Sequence, residues 1–123
     1  MLLGLRTWKI VAKDLESAKD WYTKVVGHGP YFDEAFYVGF EVGGFELGIV
    51  PEEGDDRPGT NGAVAYWGVE DADASYARLI ELGARPHEPV SDVGGGIRLG
   101  TVLDPDGNVL GIIHNPHFGG GER

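Results

Sequence analysis

The chain has 123 residues, of which 41% are hydrophobic and 24% are charged, and this composition suits one globular domain with a single core. Its 20 acidic and 10 basic residues give a formal net charge of −10, which repels nucleic-acid phosphates and anionic lipid surfaces, so we expect neither as a partner. The absence of cysteine excludes disulfides and thiolate metal sites, and the lack of a signal-peptide pattern or a long apolar run favours a cytoplasmic location.

The first half of the chain is typical of one strand, one helix and three short strands. Residues 2–12 alternate between the two sides of an extended chain, which indicates a strand. Asp14 offers a helix N-cap, apolar residues then recur at helical spacing, and Gly27 stands where the helix ends. The three strands that follow are predicted at 31–32, 36–42 and 45–50.

The second half repeats this order after an interruption. Residues 51–61 are rich in proline, glycine and acidic residues and predict a linker. A strand is then predicted at 63–69, with a helix that begins after an N-cap at Asp71 and ends at Gly83. The three strands that follow are predicted at 85–90, 97–103 and 109–114.

The repeated order predicts an α+β fold built from a duplicated β-α-β-β-β unit. The two modules span residues 1–50 and 62–115. Residues 116–123 are Gly-rich and predict a flexible tail.

A five-residue turn from Asp104 to Asn108 separates the last two apolar runs. Pro105 presets φ near the value that a turn needs, and Gly107 supplies a positive φ without steric conflict. The Asp and Asn side chains are expected to hydrogen-bond back to nearby backbone. The stretch therefore predicts a tight hairpin.

The duplicated unit and this final turn together resemble the vicinal oxygen chelate superfamily, which includes glyoxalase, extradiol dioxygenases and bleomycin-resistance proteins. The resemblance covers about residues 3–115 and depends on the Asp-capped helix and glycine of each half, Tyr22 in the first helix, and the turn at Asp104. It implies that two strongly curved mixed sheets lie side by side around a cavity. It also implies a homodimer, because a second subunit often completes that cavity.

Members of this family that use a metal place one ligand on the first and one on the last strand of each module. The resemblance places these positions at Thr7, Glu46, Val64 and Gly111. Of these side chains only Glu46 binds metals, and a single carboxylate holds a divalent ion weakly. We therefore expect a pocket with no metal and no cofactor.

Glu46 is the candidate for chemistry. Strand alternation turns it away from Leu47 and towards the space that Gly48 leaves open. Burial would raise its pKa and make it a proton acceptor, whereas a cationic ligand would hold it ionised. An equal alternative is a structural ion pair with Lys9 or Arg98.

Other residues are candidates to line the pocket. Alternation places Tyr66 on the cavity side, whereas Trp8 and Trp67 are predicted to be core. Phe36 or Phe40 is expected to stack on a planar ligand. The full predicted ligand-binding set is Thr7, Lys9, Glu46, Val64, Tyr66, Gly111 and Ile113.

Two functions follow from these residues. The leading hypothesis is a small-molecule binding protein similar to bleomycin-resistance proteins, which sequesters a drug or metabolite, with the acidic composition favouring a cationic guest. The alternative is a metal-independent isomerase, epimerase or lyase in which Glu46 accepts a proton while Tyr66 or Thr7 polarises the substrate.

Overall fold

The computed structural model describes residues 1, 3, 5–60 and 64–117. The chain divides into two compact units, the first formed by Met1–Thr60 with Pro105–Asn108 and the second by Asn61–Asp104 with Val109–Arg123. Within the described ranges each unit holds one helix and one four-stranded sheet. Neither of these helices is long and apolar enough to cross a membrane.

The elements follow the predicted β-α-β-β-β order twice. The first unit contains β1 (Thr7–Ala12), α1 (Leu15–Val26), β2 (Phe32–Glu34), β3 (Tyr37–Val42) and β4 (Phe45–Pro51), with the sheet order β1-β4-β3-β2. The second contains β5 (Tyr66–Gly68), α2 (Ala72–Glu81), β6 (Arg85–Asp92), β7 (Arg98–Leu103) and β8 (Val109–His114), with the order β5-β8-β7-β6. In each sheet the first strand runs parallel to the last and the other pairs are antiparallel. The predicted α+β fold of two modules is confirmed.

The first strand of each module is shorter than its sequence pattern predicts. Pairing of β1 with β4 begins where Thr7 lies opposite Glu46, and β5 consists of Tyr66–Gly68 alone. Alternation indicates which residues suit a strand, but a strand extends only as far as a neighbour supplies hydrogen bonds. Residues 2, 4 and 63, at the predicted strand starts, and 118–123 of the predicted tail lie outside the described residues.

Both helices begin after the predicted aspartates. The backbone of Asp14 is extended before α1, but its carboxylate accepts the Ser17 hydroxyl and caps no backbone N–H. Asp71 is a true side-chain cap, because it accepts the Ala74 N–H at 3.0 Å. Gly27 ends α1 at a φ of 95°, a left-handed conformation that favours glycine.

The core of the first unit lies between α1 and one face of its sheet. Tyr22 is buried on α1, and alternate apolar residues of β1, β3 and β4 are buried with it, notably Ile10, Phe40, Leu47 and Ile49. Burial of these apolar side chains stabilises the unit by the usual hydrophobic effect. The opposite face of the same sheet is left to carry Thr7 and Glu46.

The final turn is a hairpin, as predicted, but its side chains also hold distant residues. Leu103 and Val109 close the ladder, and Asn108 is only 6% exposed. The Asn108 amide donates to the Val11 carbonyl oxygen at 2.7 Å and accepts the Gly59 N–H at 3.0 Å. The turn thus belongs to the first unit by its contacts.

Replacing Asn108 by Ala should lower the free energy of unfolding by about 1–3 kcal/mol, because the backbone groups of Val11 and Gly59 lose the partner of two part-buried hydrogen bonds. Urea denaturation measures this loss. The matched control is Asn115→Ala, since the Asn115 side chain accepts only the nearby His117 N–H in an exposed bond, and its effect should stay within about 0.5 kcal/mol. Equal losses in the two variants would contradict this account of the turn.

Candidate functional site

The site lies on the sheet face opposite the buried side chains of the first unit, which we call the Glu46 face. At its centre Gly39 of β3 lies opposite Gly48 of β4. A Cβ atom on Gly39 would lie 2.7 Å from Glu46 Oε2, and one on Gly48 would lie 2.7 Å from Tyr37 Cζ. A side chain at Gly39 would therefore displace the end of the flexible Glu46 side chain, and one at Gly48 would collide with the rigid Tyr37 ring, so these two glycines leave room for both groups over the sheet.

Three hydroxyl groups donate to the Glu46 carboxylate. Thr7, directly opposite on β1, donates to Oε1 at 2.7 Å, and Tyr37 donates to the same atom at 2.9 Å. Tyr31 donates to Oε2 from the start of the β2 segment. The carboxylate is therefore fixed from both sides by neutral donors.

This arrangement keeps Glu46 ionised. Donation by the Tyr31 hydroxyl, assisted by Thr7 and Tyr37, lowers the pKa of Glu46, and partial burial opposes the change without reversing it. The expectation that burial would raise this pKa is therefore wrong, because hydrogen bonds to the charged form outweigh desolvation. In return, the pKa of Tyr31 is raised by its hydrogen bond to Glu46, and burial with the Glu46 hydrogen bond raises the pKa of Tyr37 to about 12.

The alternative of a structural ion pair at Glu46 is not supported. Arg98 binds Asp73 at 3.0 Å within the second unit. Lys9 lies on the Glu46 face, opposite Gly48, but among the described residues no lysine, arginine or histidine comes within ion-pair distance of Glu46. The negative charge of Glu46 is thus solvated by hydroxyls and is not neutralised.

Aromatic rings surround this carboxylate. We call the space the Glu46 pocket; it has a volume of about 420 Å³ and is lined by Tyr31, Phe32, Phe36, Tyr37 and Glu46. The Phe32 ring packs edge-on against Phe36 and Tyr37, with ring centroids 6.1 and 5.9 Å apart. Tyr31 and Phe36 remain 65% and 66% exposed, so their rings are open to a ligand.

Only part of this pocket was predicted from the sequence. Of the two phenylalanines considered, Phe36 lines it, but Phe40 is fully buried in the core, because it occupies an α1-facing position of β3. Tyr31 and Tyr37 were missed. Alternation along β3 could have found Tyr37, since it shares a face with Gly39 and is offset by one residue from buried Phe40 and Val38.

The remaining predicted residues lie in the second unit. Tyr66 pairs with Gly111, and a Cβ atom on Gly111 would lie 2.7 Å from Tyr66 Cδ1, so the ring covers the glycine. Val64, where the resemblance placed a ligand position, precedes β5. The residue opposite Gly111 is Tyr66. Ile113 pairs with Gly68 and is partly buried. Tyr66 itself is 42% exposed.

A second depression of about 430 Å³ lies beside the start of α1 and the β2 edge. Its carboxylates Glu16 and Asp33 both bind Lys19, at 2.8 and 3.1 Å. Lys19 offsets only part of this negative charge, but no aromatic ring lines the depression, whereas four rings line the Glu46 pocket. The Glu46 pocket is therefore the better candidate site.

Comparison with known proteins agrees with this architecture. Residues 4–112 match the family model of the glyoxalase/bleomycin resistance protein/dioxygenase superfamily. The chain belongs to this superfamily. No curated protein matches the chain.

Solved structures show the same fold. A glyoxalase-related enzyme from Fulvimarina pelagi is 22% identical with a TM-score of 0.76, over 94% of this chain and 90% of that one. A glyoxalase/bleomycin resistance protein from Catenulispora acidiphila is 25% identical with a TM-score of 0.67, over 92% and 100%. A lactoylglutathione lyase from Agrobacterium tumefaciens is 17% identical with a TM-score of 0.75, over 97% and 98%.

The metal that some members of this superfamily use does not fit the residues of this chain. The Glu46 oxygens already accept three hydroxyl donors, and Gly111 offers no ligand and lies beneath the Tyr66 ring. His117 Nε2 lies 2.7 Å from the Gly95 carbonyl oxygen. In the described part of the chain no three His, Cys, Asp or Glu side chains come together as a metal site.

The lowered pKa of Glu46 has a consequence for stability. Because the folded-state pKa lies below the ordinary value of 4.5, the ionised carboxylate stabilises the fold above that pH, and the stabilisation is lost as the pH falls through the folded-state pKa. Glu46→Gln should therefore be less stable than the parent protein at pH 7, and the difference should shrink below pH 4.5. Urea denaturation across pH 7 to 3 measures it.

The variant Tyr31→Phe is the matched test, because it removes the first of the three donors and leaves the carboxylate in place. Tyr31→Phe should show part of the pH-dependent loss of stability that Glu46→Gln shows. A difference between Glu46→Gln and the parent protein that is constant across the pH range would show that the carboxylate contributes no charge-dependent stability.

Proposed function

We propose that the protein binds a small organic molecule, a drug or a metabolite, in the Glu46 pocket and that it needs no metal to do so. The observation that supports this most directly is the pocket itself. A volume of about 420 Å³ lies within the range of small-molecule sites, and apolar rings around one oriented polar group are their usual composition. This is the sequestering role implied by the resemblance to bleomycin-resistance proteins, and resistance to an antibiotic is one form it would take.

The state of Glu46 favours binding over proton transfer. A general base works best when its pKa lies near the working pH. The three hydroxyl donors move the pKa of Glu46 in the opposite direction, below its ordinary value. A fixed, ionised carboxylate is a weak base, but it is a good anchor for a ligand.

An isomerase, epimerase or lyase remains the second candidate. The Thr7 and Tyr37 hydroxyls, 2.7 and 2.9 Å from Glu46 Oε1, favour it, because they would place hydroxyl donors beside a substrate carbon from which Glu46 takes a proton. In an isomerase the proton would return to another carbon of the substrate, in an epimerase a proton would return to the opposite face of the same carbon, and in a lyase the proton would leave with the departing group. Glu46→Gln separates the candidates, since an enzyme would lose turnover and keep substrate binding.

A homodimer is part of the proposal. The resemblance to this superfamily supports it, because a second subunit often completes the cavity there.

Binding should be visible as thermal stabilisation in a panel of basic antibiotics and aromatic metabolites. A ligand that binds only the folded state adds roughly 2.7 kcal/mol at one hundred times its Kd. The same ligand should stabilise Phe36→Ser less, because that change removes an exposed ring from the pocket wall and leaves the core intact. A broad panel that produces no shift would argue against the binding role.

The metal-free character is tested separately. Purified protein should contain far less than one equivalent of divalent metal by elemental analysis, and added Mg²⁺, Mn²⁺, Zn²⁺ or Ni²⁺ should leave its melting temperature unchanged, because a single carboxylate holds such ions weakly. Stoichiometric metal that disappears in Glu46→Gln would overturn this part of the proposal.

A further inference from the structure

We infer that the Glu46 pocket is selective for organic ammonium groups, which it holds between the Glu46 carboxylate and the faces of the surrounding aromatic rings. This inference rests on the proposed binding function and names the chemical class of its ligand. Three observations carry it: the unmatched charge of Glu46, the exposed rings, and the geometry that brings both to one pocket.

The first observation is the charge. Three neutral hydroxyl groups orient the Glu46 carboxylate but leave its full negative charge in place. Within the described ranges the carboxylate has no cationic partner, although most partly buried carboxylates in proteins are paired. A positively charged ligand would supply the missing partner, whereas an anion would be repelled.

The second observation is the ring wall. Aromatic faces carry a negative quadrupole, so they attract cations that lie over them within about 6 Å. Tyr31 and Phe36 are each about two-thirds exposed, at 65% and 66%, and Phe32 is 39% exposed. Rings left open to solvent beside a carboxylate suit a cation that carries apolar substituents, since its carbon atoms bury the ring surface and its charge faces Glu46.

The third observation is the geometry that fixes the Glu46 carboxylate and the tyrosine rings beside it. The Gly39 and Gly48 positions have no room for a side chain, because Tyr37 and Glu46 already fill the space above them. The Tyr31 and Tyr37 rings are thus tied by their hydroxyls to the carboxylate. A preformed wall of this kind loses little conformational entropy when a ligand arrives.

An inorganic cation fits these observations less well. Mg²⁺ and Ca²⁺ prefer several oxygen ligands and release water reluctantly, and aromatic rings supply no oxygen lone pair of comparable strength. Organic ammonium groups are already poorly hydrated when their nitrogen carries carbon substituents, so rings and one carboxylate are sufficient. Aromatic cages for such groups are a recurrent use of this interaction.

The test compares two probes of the same shape, choline and 3,3-dimethyl-1-butanol, in which carbon replaces the charged nitrogen. Titration of the whole chain is followed by NMR shifts of the aromatic ring protons, which report both the affinity and the place of binding. Choline should bind at least about fivefold more tightly than the neutral probe, with the largest shifts at Phe36 and Tyr37.

Two variants locate the effect. Glu46→Gln keeps the shape of the side chain and should abolish the preference, bringing the two affinities to within about twofold, because the remaining ring contribution is modest. Glu41→Gln removes the same charge from the residue directly opposite Glu46, whose carboxylate accepts the Gly44 N–H at 2.6 Å and does not line the pocket; it should keep the preference. Phe36→Leu, at an exposed position, should weaken choline binding even if Glu46→Gln folds poorly.

Several outcomes would overturn the inference. Equal affinity for the two probes, or equal loss of preference in Glu41→Gln and Glu46→Gln, would show that the local carboxylate does not select charge. Binding of neither probe, while a neutral member of the wider ligand panel binds at these rings, would refute the ammonium class and leave the binding function intact. Ring-proton shifts at Phe36 that change with protein concentration alone would show that a second copy of the chain covers this wall.

Discussion

Two glycines on adjacent strands decide what the Glu46 face can hold. Gly39 and Gly48 lie opposite each other, and any side chain at either position would collide with Glu46 or Tyr37. The Tyr37 ring fills the space that they leave. Its hydroxyl donates to the Glu46 carboxylate on the adjacent strand. The positions of the Tyr37 ring and of the Glu46 carboxylate, and with them the hydrogen bond that joins the two, depend on this absence of two Cβ atoms.

The two modules have the same strand order but carry different residues at equivalent positions. In the first, Thr7 lies opposite Glu46, and in the second, Tyr66 lies opposite Gly111. A tyrosine ring covers a glycine in both modules, Tyr37 over Gly48 and Tyr66 over Gly111, and in the first module Tyr37 also donates to a carboxylate, that of Glu46. The duplicated fold therefore supports a site in one module whose equivalent positions in the other are closed by packing. This asymmetry is why membership of the superfamily does not by itself assign the chemistry of this chain.

Much of the fold follows from local sequence signals. The Asp14 and Asp71 helix starts, Gly27 and the final hairpin were all visible as residue types at the right spacing, because each depends on a few neighbouring backbone angles. The strand lengths could not be predicted from local residue types, because they depend on which neighbouring strand supplies hydrogen bonds. The role of Asn108 was also missed, because its partners Val11 and Gly59 are remote in sequence.

The site was predictable only where alternation decides it. That Glu46 points away from Leu47 follows from the two-residue period of a strand. The direction of its pKa shift does not, since it depends on the Tyr31 and Tyr37 hydroxyls, which the fold brings to it across other strands. The resemblance placed two ligand positions at Val64 and Gly111, and the register of the parallel pair sets Tyr66, not Val64, opposite Gly111. Register is set by the whole sheet and is invisible to a local count.

The central claim is that Glu46 is an ionised carboxylate held by hydroxyl groups. A ¹³C NMR titration of its side-chain carboxyl carbon, assigned through Glu46→Gln, tests this directly. The account predicts a midpoint below 4.5 that moves upward in Tyr31→Phe. A midpoint at or above 4.5 that does not respond to the loss of the Tyr31 hydroxyl would contradict it.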